Sequence, residues 1–216
     1  MIDLDISGGV WTLTLNRPDK ANSLTFEMLE RVAEIATDAK EARALIITGA
    51  GTVFSAGADL SAAKAGLATS DVWERVSGAI AALPGLTIAA LNGTLAGGAF
   101  GMALACDLRL GVPAARFFYP VMRLGFLPQP SDPARMAALI GPARTKMVLM
   151  AGQKISADEA LSYGLIDRIC APDALISTAQ SLCDDICAAP PDHGAAIKAM
   201  CNGPAFELNG SFARAR

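Results

Sequence analysis

Histidine is almost missing from this chain: His193 is the single one in 216 residues. Imidazole chemistry would have to pass through PPDHG near the C-terminal end, where the prolines and glycine predict a helix-breaking turn with an exposed side chain. Clustered cations are missing too. With 18 Lys and Arg against 21 Asp and Glu, the net charge is −3. No stretch groups the several cations that phosphate neutralisation needs, which argues against nucleic acid as a partner. Five cysteines form an odd count without paired spacing. Cys183 and Cys187 stand one helical turn apart, a helix-packing pattern rather than a metal site, and a reducing cytoplasm fits. MIDLDISGGVWTL is acidic and lacks the basic-then-apolar layout of a signal peptide. Aromatic residues are only 6% while hydrophobic residues reach 52%, with a mean hydropathy of +0.38. The apolar content is therefore largely Ala, Leu, Ile and Val, which calls for a buried sheet or a face covered by copies of the chain. The length suits one domain with one core, and there is no sequence repeat, low-complexity segment or linker.

An uncharged run extends from Val76 to Cys106, long enough to be tested as a membrane span. Pro84, Gly85, Asn92 and Gly93 divide it into a helix end, a strand and a glycine turn before a second helix, each too short to cross a bilayer. Elsewhere VWTLTL (10–15), ALIITG (44–49), LTIAALNG (86–93), LRLGV and LIDRIC read as strands. A helix with a Leu29, Val32, Ala33, Ala36 stripe starts near Thr25, and DVWERVSGAIAALPG supplies another. Ser156 and Glu159 predict a capping box on a helix that stops at Gly164. From Pro172 onward the pattern is helical with a break at Pro190-Pro191. Alternating strands and helices imply a layered α/β fold.

Three features could carry chemistry. ALIITGAGTVF opens like a dinucleotide-binding turn, but Phe54 occupies the third glycine position. Ser55 in VFSAG misses the nucleophile-elbow pattern by its first glycine, and a hydrolase built on it would depend on His193. The third is the pair FSAGADL and LAGGAF. Each is a glycine turn after a buried strand, leading into a helix, where backbone N–H groups are oriented donors that no side chain screens. Two such turns could converge on one oxygen.

LNRPDKANSLT (15–25), ALIITGAGTVFSAGADL (44–60) and IAALNGTLAGGAFGMALACDLRLG (88–111) closely resemble the signatures of the crotonase superfamily, the enoyl-CoA hydratase and isomerase group. RFFYPVMRLGFLP and IGPARTKMVLMAGQKISADEALSYGLID extend the resemblance over nearly the whole chain. It implies an α/β spiral of ββα units over residues 1–170, followed by a helical C-terminal region (171–216) that is short for the family. It also implies an acyl-CoA thioester as substrate, no cofactor beyond that coenzyme A, and trimers or pairs of trimers. Carried over by position, the oxyanion hole falls on the N–H groups of Ala56 and Gly98. Ser55, Ala58, Asp59 and Leu60 fall on the adenine and pantetheine path, and Arg17 and Lys20 are phosphate-side cations.

Hydratases of this group carry one glutamate three residues after the oxyanion glycine and another in the segment that here reads FFYPV. Gly101 and Val121 occupy those positions. Hydration needs one group to activate water and another to protonate carbon, so a syn-hydratase is disfavoured. The replacement acid or base is sought in GFLPQPSDPAR, where Gln129 holds a position often occupied by Asp. Asp132 is one candidate and Tyr119 the other. Against Asp132 stands its setting, since Ser131-Asp132-Pro133 reads as a helix cap with proline in the first turn. Two classes of function follow: an enzyme working through a thioester enolate, isomerase-like rather than hydratase, or an acyl-CoA-binding homologue without catalysis.

Overall fold

A computed structural model of the chain describes residues 1–203. Strands β1 (Ile2–Ser7) and β2 (Val10–Leu15) form an antiparallel hairpin around Gly8 and Gly9, both at positive φ. Helix α1 (Phe26–Asp38) follows, capped by the Thr25 side chain and burying Met28, Leu29, Val32, Ala33, Ile35 and Ala36. Three turns of the chain then repeat one plan. The first is β3 (Ala44–Gly49), β4 (Val53–Ser55), α2 (Leu60–Lys64) and α3 (Val72–Ala81). The second is β5 (Leu86–Leu91), β6 (Thr94–Ala96) and α4 (Phe100–Ala105). The third is β7 (Leu108–Gly111), β8 (Arg116–Phe118), α5 (Val121–Leu124) and α6 (Asp132–Leu149). Next come β9 (Ile155–Ser156), α7 (Ala157–Tyr163) with its capping box, and β10 (Arg168–Ile169). Helices α8 (Leu175–Ser181), α9 (Asp184–Ala188) and α10 (Pro191–Asn202) end the described chain.

The first strand of each turn joins one six-stranded sheet, in the order β1-β2-β3-β5-β7-β10. The short second strand joins another, in the order β4-β6-β8-β9. This is the ββα spiral. Although the sequence shows no repeat, the backbone repeats because each long strand buries both faces and must hand its chain sideways before a helix can cover it. β3 shows the pressure, with Ala44 to Ile47 almost wholly buried. His193 lies in the first turn of α10, not in a helix-breaking turn, because Pro191 occupies the start position where a missing N–H costs nothing. Of the expected helical C-terminal region 171–216, residues 204–216 fall outside the described residues.

Candidate active site

Two backbone turns meet where the second strands end. A Cβ built on Gly57 would lie 2.9 Å from the Ala96 carbonyl oxygen and 3.4 Å from Gly97 Cα. Only glycine permits that approach, and both Gly57 and Gly97 are at positive φ. The 17–24 segment braces the first turn from below. Ala56 N–H donates to Ala21 O at 2.9 Å, Leu24 N–H to Gly57 O at 2.8 Å, and Asp59 N–H to Leu24 O at 2.8 Å.

This bracing corrects the reading of Ala56. Its N–H is spent on Ala21 O, so it is no free donor. Among the described residues Ala58 N–H, two positions on, has no protein acceptor, and neither has Gly98 N–H at the mouth of the turn into α4. The paired donors facing outward are therefore those of Ala58 and Gly98. Gly57, at positive φ between them, breaks the extended run: Ala56 N–H turns to Ala21 O, while the parallel bridge of Ala58 to Leu24 is made through Gly57 O and Asp59 N–H and leaves Ala58 N–H out.

Ser55 is fully buried; its hydroxyl donates to Asn22 O at 2.8 Å and accepts from Gly57 N–H at 3.1 Å. It holds the turn and makes no contact with the exposed His193, which removes the hydrolase reading. Asp59 caps α2 by accepting from Ser61 and Ala62 N–H and takes an ion pair from Arg17 at 2.9 Å. That guanidinium, with help from the helix N–H groups, holds the Asp59 carboxyl below the usual range. Arg17 Nη1 also bonds Ser23, so it serves the loop rather than a free anion. Of the two expected phosphate-side cations, Lys20 is the one left exposed. Ala58 is half-buried, and Leu60 is 80% exposed at the start of α2.

Asn22 escaped sequence reasoning. It is buried at positive φ, donates to Ala50 O and Val53 O, and accepts from Arg17 N–H. Trp73 did too. Its ring lies 3.1 Å from where a Cβ on Gly98 would stand, and its indole N–H donates to Leu67 O at 2.8 Å. A glycine at 98 thus gives room for the indole as well as a bare N–H.

The acid/base candidates come together. Tyr119 O–H donates to Asp132 Oδ2 at 2.9 Å, and the Tyr119 ring stacks on Phe100 with centroids 5.4 Å apart. Asp132 is completely buried, and its Oδ1 has no protein partner. A Cβ on Gly101 would meet that oxygen at 3.2 Å. The Asp132 carboxyl thus stands beside position 101, where the resemblance leads one to expect a carboxylate. Nor does Asp132 serve as the helix cap. It is the first residue of α6 behind Ser131, whose own side chain does not cap. Burial pushes the Asp132 carboxyl up to about 7; the Tyr119 hydrogen bond opposes this, the Glu74 charge adds to it and Arg135 again opposes it. Burial and the neighbouring carboxylate drive the Tyr119 phenol well above its ordinary range. At neutral pH the phenol therefore keeps its proton and is the hydrogen-bond donor to the carboxyl. Val121 is buried at the start of α5, and Gln129 contributes only backbone groups: its N–H, at 3.4 Å from the phenol oxygen, and its carbonyl, which accepts from Asp132 N–H at 3.1 Å.

A separate cavity of about 990 Å³ lies between the end of α4, α6 and the helices α9 and α10, lined by Leu86, Leu104, Leu182, Ile186 and Ile197 among others. None of Ala58, Gly98, Tyr119 or Asp132 borders it. Among the described residues no group of three or more His, Cys, Asp or Glu is placed to hold a metal ion, and no helix is long and apolar enough to cross a membrane.

A ββα spiral with two glycine turns joined at its centre defines the crotonase class of fold. The chain belongs to the enoyl-CoA hydratase/isomerase family, whose model matches residues 5–210. It is 34% identical over 197 residues to the short-chain-enoyl-CoA hydratase of Clostridium acetobutylicum, covering 85% of this chain and 74% of that one. To the carnitinyl-CoA dehydratase of Citrobacter koseri it is 36% identical over 202 residues, covering 88% and 76%. The crystal structure of an enoyl-CoA hydratase from Bacillus anthracis superposes with a TM-score of 0.87 at 32% identity, over 96% of this chain and 84% of that one.

Proposed function

We propose that the protein is an acyl-CoA enzyme that shifts a proton at the carbon next to a thioester carbonyl, closer to an isomerase than to a hydratase. The thioester oxygen sits on the N–H groups of Ala58 and Gly98. As the α-proton leaves, charge gathers on that oxygen, and two fixed donors stabilise it without reorganising. Asp132 takes the proton on Oδ1 and returns it, and Tyr119 steadies Oδ2. One carboxyl suffices for taking a proton from one carbon and returning it to another, whereas hydration needs a second group that positions 101 and 121 do not supply. The names of its relatives, hydratases and a dehydratase of CoA thioesters, support the substrate class. Assembly as a trimer belongs to the same proposal.

The observation that carries this reading is the buried Asp132 carboxyl, pushed up to about 7, with its free oxygen over Gly101. A general base works best with a pKa near the operating pH. The test is exchange of α-hydrogens in heavy water with a panel of short, long and aromatic acyl-CoAs. Exchange is expected above the rate of free thioester and rising with pH through about 7, as Asp132 loses its proton. Asp132→Asn should lower it roughly 100-fold or more, and crotonyl-CoA hydration should be negligible beside a typical enzymatic rate of about 10 per second. Binding of the panel with no exchange by any member would overturn the enzyme reading in favour of a non-catalytic acyl-CoA binder.

A further inference from the structure

Helix α3 faces the site with three residues from one side. Trp73 lies against Gly98, and Ser77 Cβ is 3.6 Å from where a Cβ on Gly101 would stand. Glu74, between them on the same face, reaches across to the segment that delivers Asp132. Its Oε1 accepts from both the backbone N–H and the hydroxyl of Ser131, each at 2.9 Å. Ser131 is the residue immediately before Asp132, so these two bonds fix where α6 begins. A neutral acceptor could hold both donors; a carboxylate does something more, because its charge also acts on the buried Asp132 carboxyl.

We propose that Glu74 is a positioning residue for Asp132: it latches Ser131 so that the Asp132 carboxyl rests over Gly101, and its negative charge keeps that carboxyl in the state that binds a proton. This rests on the reading of Asp132 as the proton carrier. The groups facing Asp132 are Tyr119 from the segment after β8, Glu74 from α3 and Arg135 from its own helix. Tyr119 and Arg135 favour the ionised form, and Glu74 alone among them opposes it. Removing the Glu74 charge therefore leaves Asp132 among groups that all make it more acidic.

The experiment compares native protein with Glu74→Gln, Glu74→Ala and Ser131→Ala. Two quantities are read: the titration midpoint of the Asp132 carboxyl carbon by NMR of aspartate-labelled protein, assigned by its loss in Asp132→Asn, and exchange of butyryl-CoA in heavy water against pH. Glu74→Gln keeps an oxygen for both Ser131 donors and loses only the charge. Its midpoint, and the rising limb of exchange, should fall by roughly half a pH unit or more. Glu74→Ala loses the latch as well, and the plateau exchange rate should drop on the order of 10- to 100-fold with KM less affected. Ser131→Ala keeps the charge and should slow exchange without lowering the midpoint, which covers the case of a glutamine variant that fails to fold. An unmoved midpoint in Glu74→Gln, or a midpoint lowered in Ser131→Ala, overturns the proposal. The NMR midpoint answers this whether or not Asp132→Asn abolishes exchange, so failure of the proton-carrier reading is seen separately.

Discussion

At the scale of single residues, the site is decided by what glycine leaves out. Gly98 leaves out a side chain that would strike Trp73, and Gly101 leaves out one that would strike Asp132 Oδ1. The second omission is the more telling. At 3.2 Å an added methyl group does not forbid the fold, but the buried carboxyl has to yield, since it is the end of a side chain while Gly101 is anchored in α4. Gly101→Ala is therefore expected to fold, to bind acyl-CoA nearly as well as native protein, and to lose about 10- to 100-fold in α-hydrogen exchange, the scale on which small misplacements act. Native exchange in that variant would mean that Asp132 is not the base. Ala56 teaches the complementary lesson. Its N–H is spent on Ala21 O while that of Ala58 is free, and this depends on contacts with Ala21 and Leu24, about 35 positions back in the chain. No local pattern carries that information.

At the scale of elements, what could be read in advance follows from length and periodicity. β2, β3, β5 and β7, α1, α3 and the capped α7 are all legible, because each has enough residues to show an apolar run, a stripe or a cap. β1 has its own signal in the alternating Ile2, Leu4 and Ile6 before Gly8-Gly9, and a reading that begins the strands at Val10 passes over it. Strands β4, β6, β8 and β9, of two or three residues each, are too short for any period. The second sheet is legible only through the family resemblance. The start of α6 falls where Ser-Asp-Pro places it, with Ser131 at the cap position and proline in the first turn. The side-chain cap bond is what is missing, because Ser131 and Asp132 both turn to distant partners, Glu74 and Tyr119. The C-terminal helices are held by similarly non-local bonds. Lys198 on α10 pairs with Asp107 at 2.7 Å and donates to Gly85 O, while Arg43 bonds Ile186 O and Ala189 O beside α9. The Lys198 and Asp107 side chains are only 14% and 22% exposed, so this is not a weak surface pair. Lys198→Met should cost about 1–3 kcal/mol, less than a fully buried pair because Thr87 still serves Asp107. Amide exchange mass spectrometry should show α10 opening before the sheets; uniform exchange across the chain would show that the pair does not hold the helix.

At the scale of the whole molecule, a buried acid kept near neutrality makes stability depend on pH in an unusual direction. The Asp132 carboxyl is raised from 3.8 to about 7 on folding, so between those values the folded chain binds a proton that the unfolded chain has released. Stability from this group is full below about 3.8 and is lost as pH rises toward 7. The loss is on the order of 4 kcal/mol, at about 1.4 kcal/mol per pH unit. Carboxyls such as Asp59, Glu30 and Glu159 are lowered instead and contribute stability above their unfolded values, which hides the effect in the native protein alone. A difference measurement exposes it. Asp132→Asn carries a neutral side chain of the same shape at every pH, and the lowered carboxyls are common to both proteins and cancel. Urea unfolding from pH 4.5 to 8.5 should show native protein losing stability relative to Asp132→Asn as pH rises toward about 7, and a constant difference above that. A difference independent of pH would mean that Asp132 is ionised throughout, and a base that is always ionised could not give an exchange rate rising through neutrality. The same experiment thus tests whether the stability sacrificed at position 132 is tied to the proton that the site is built to move.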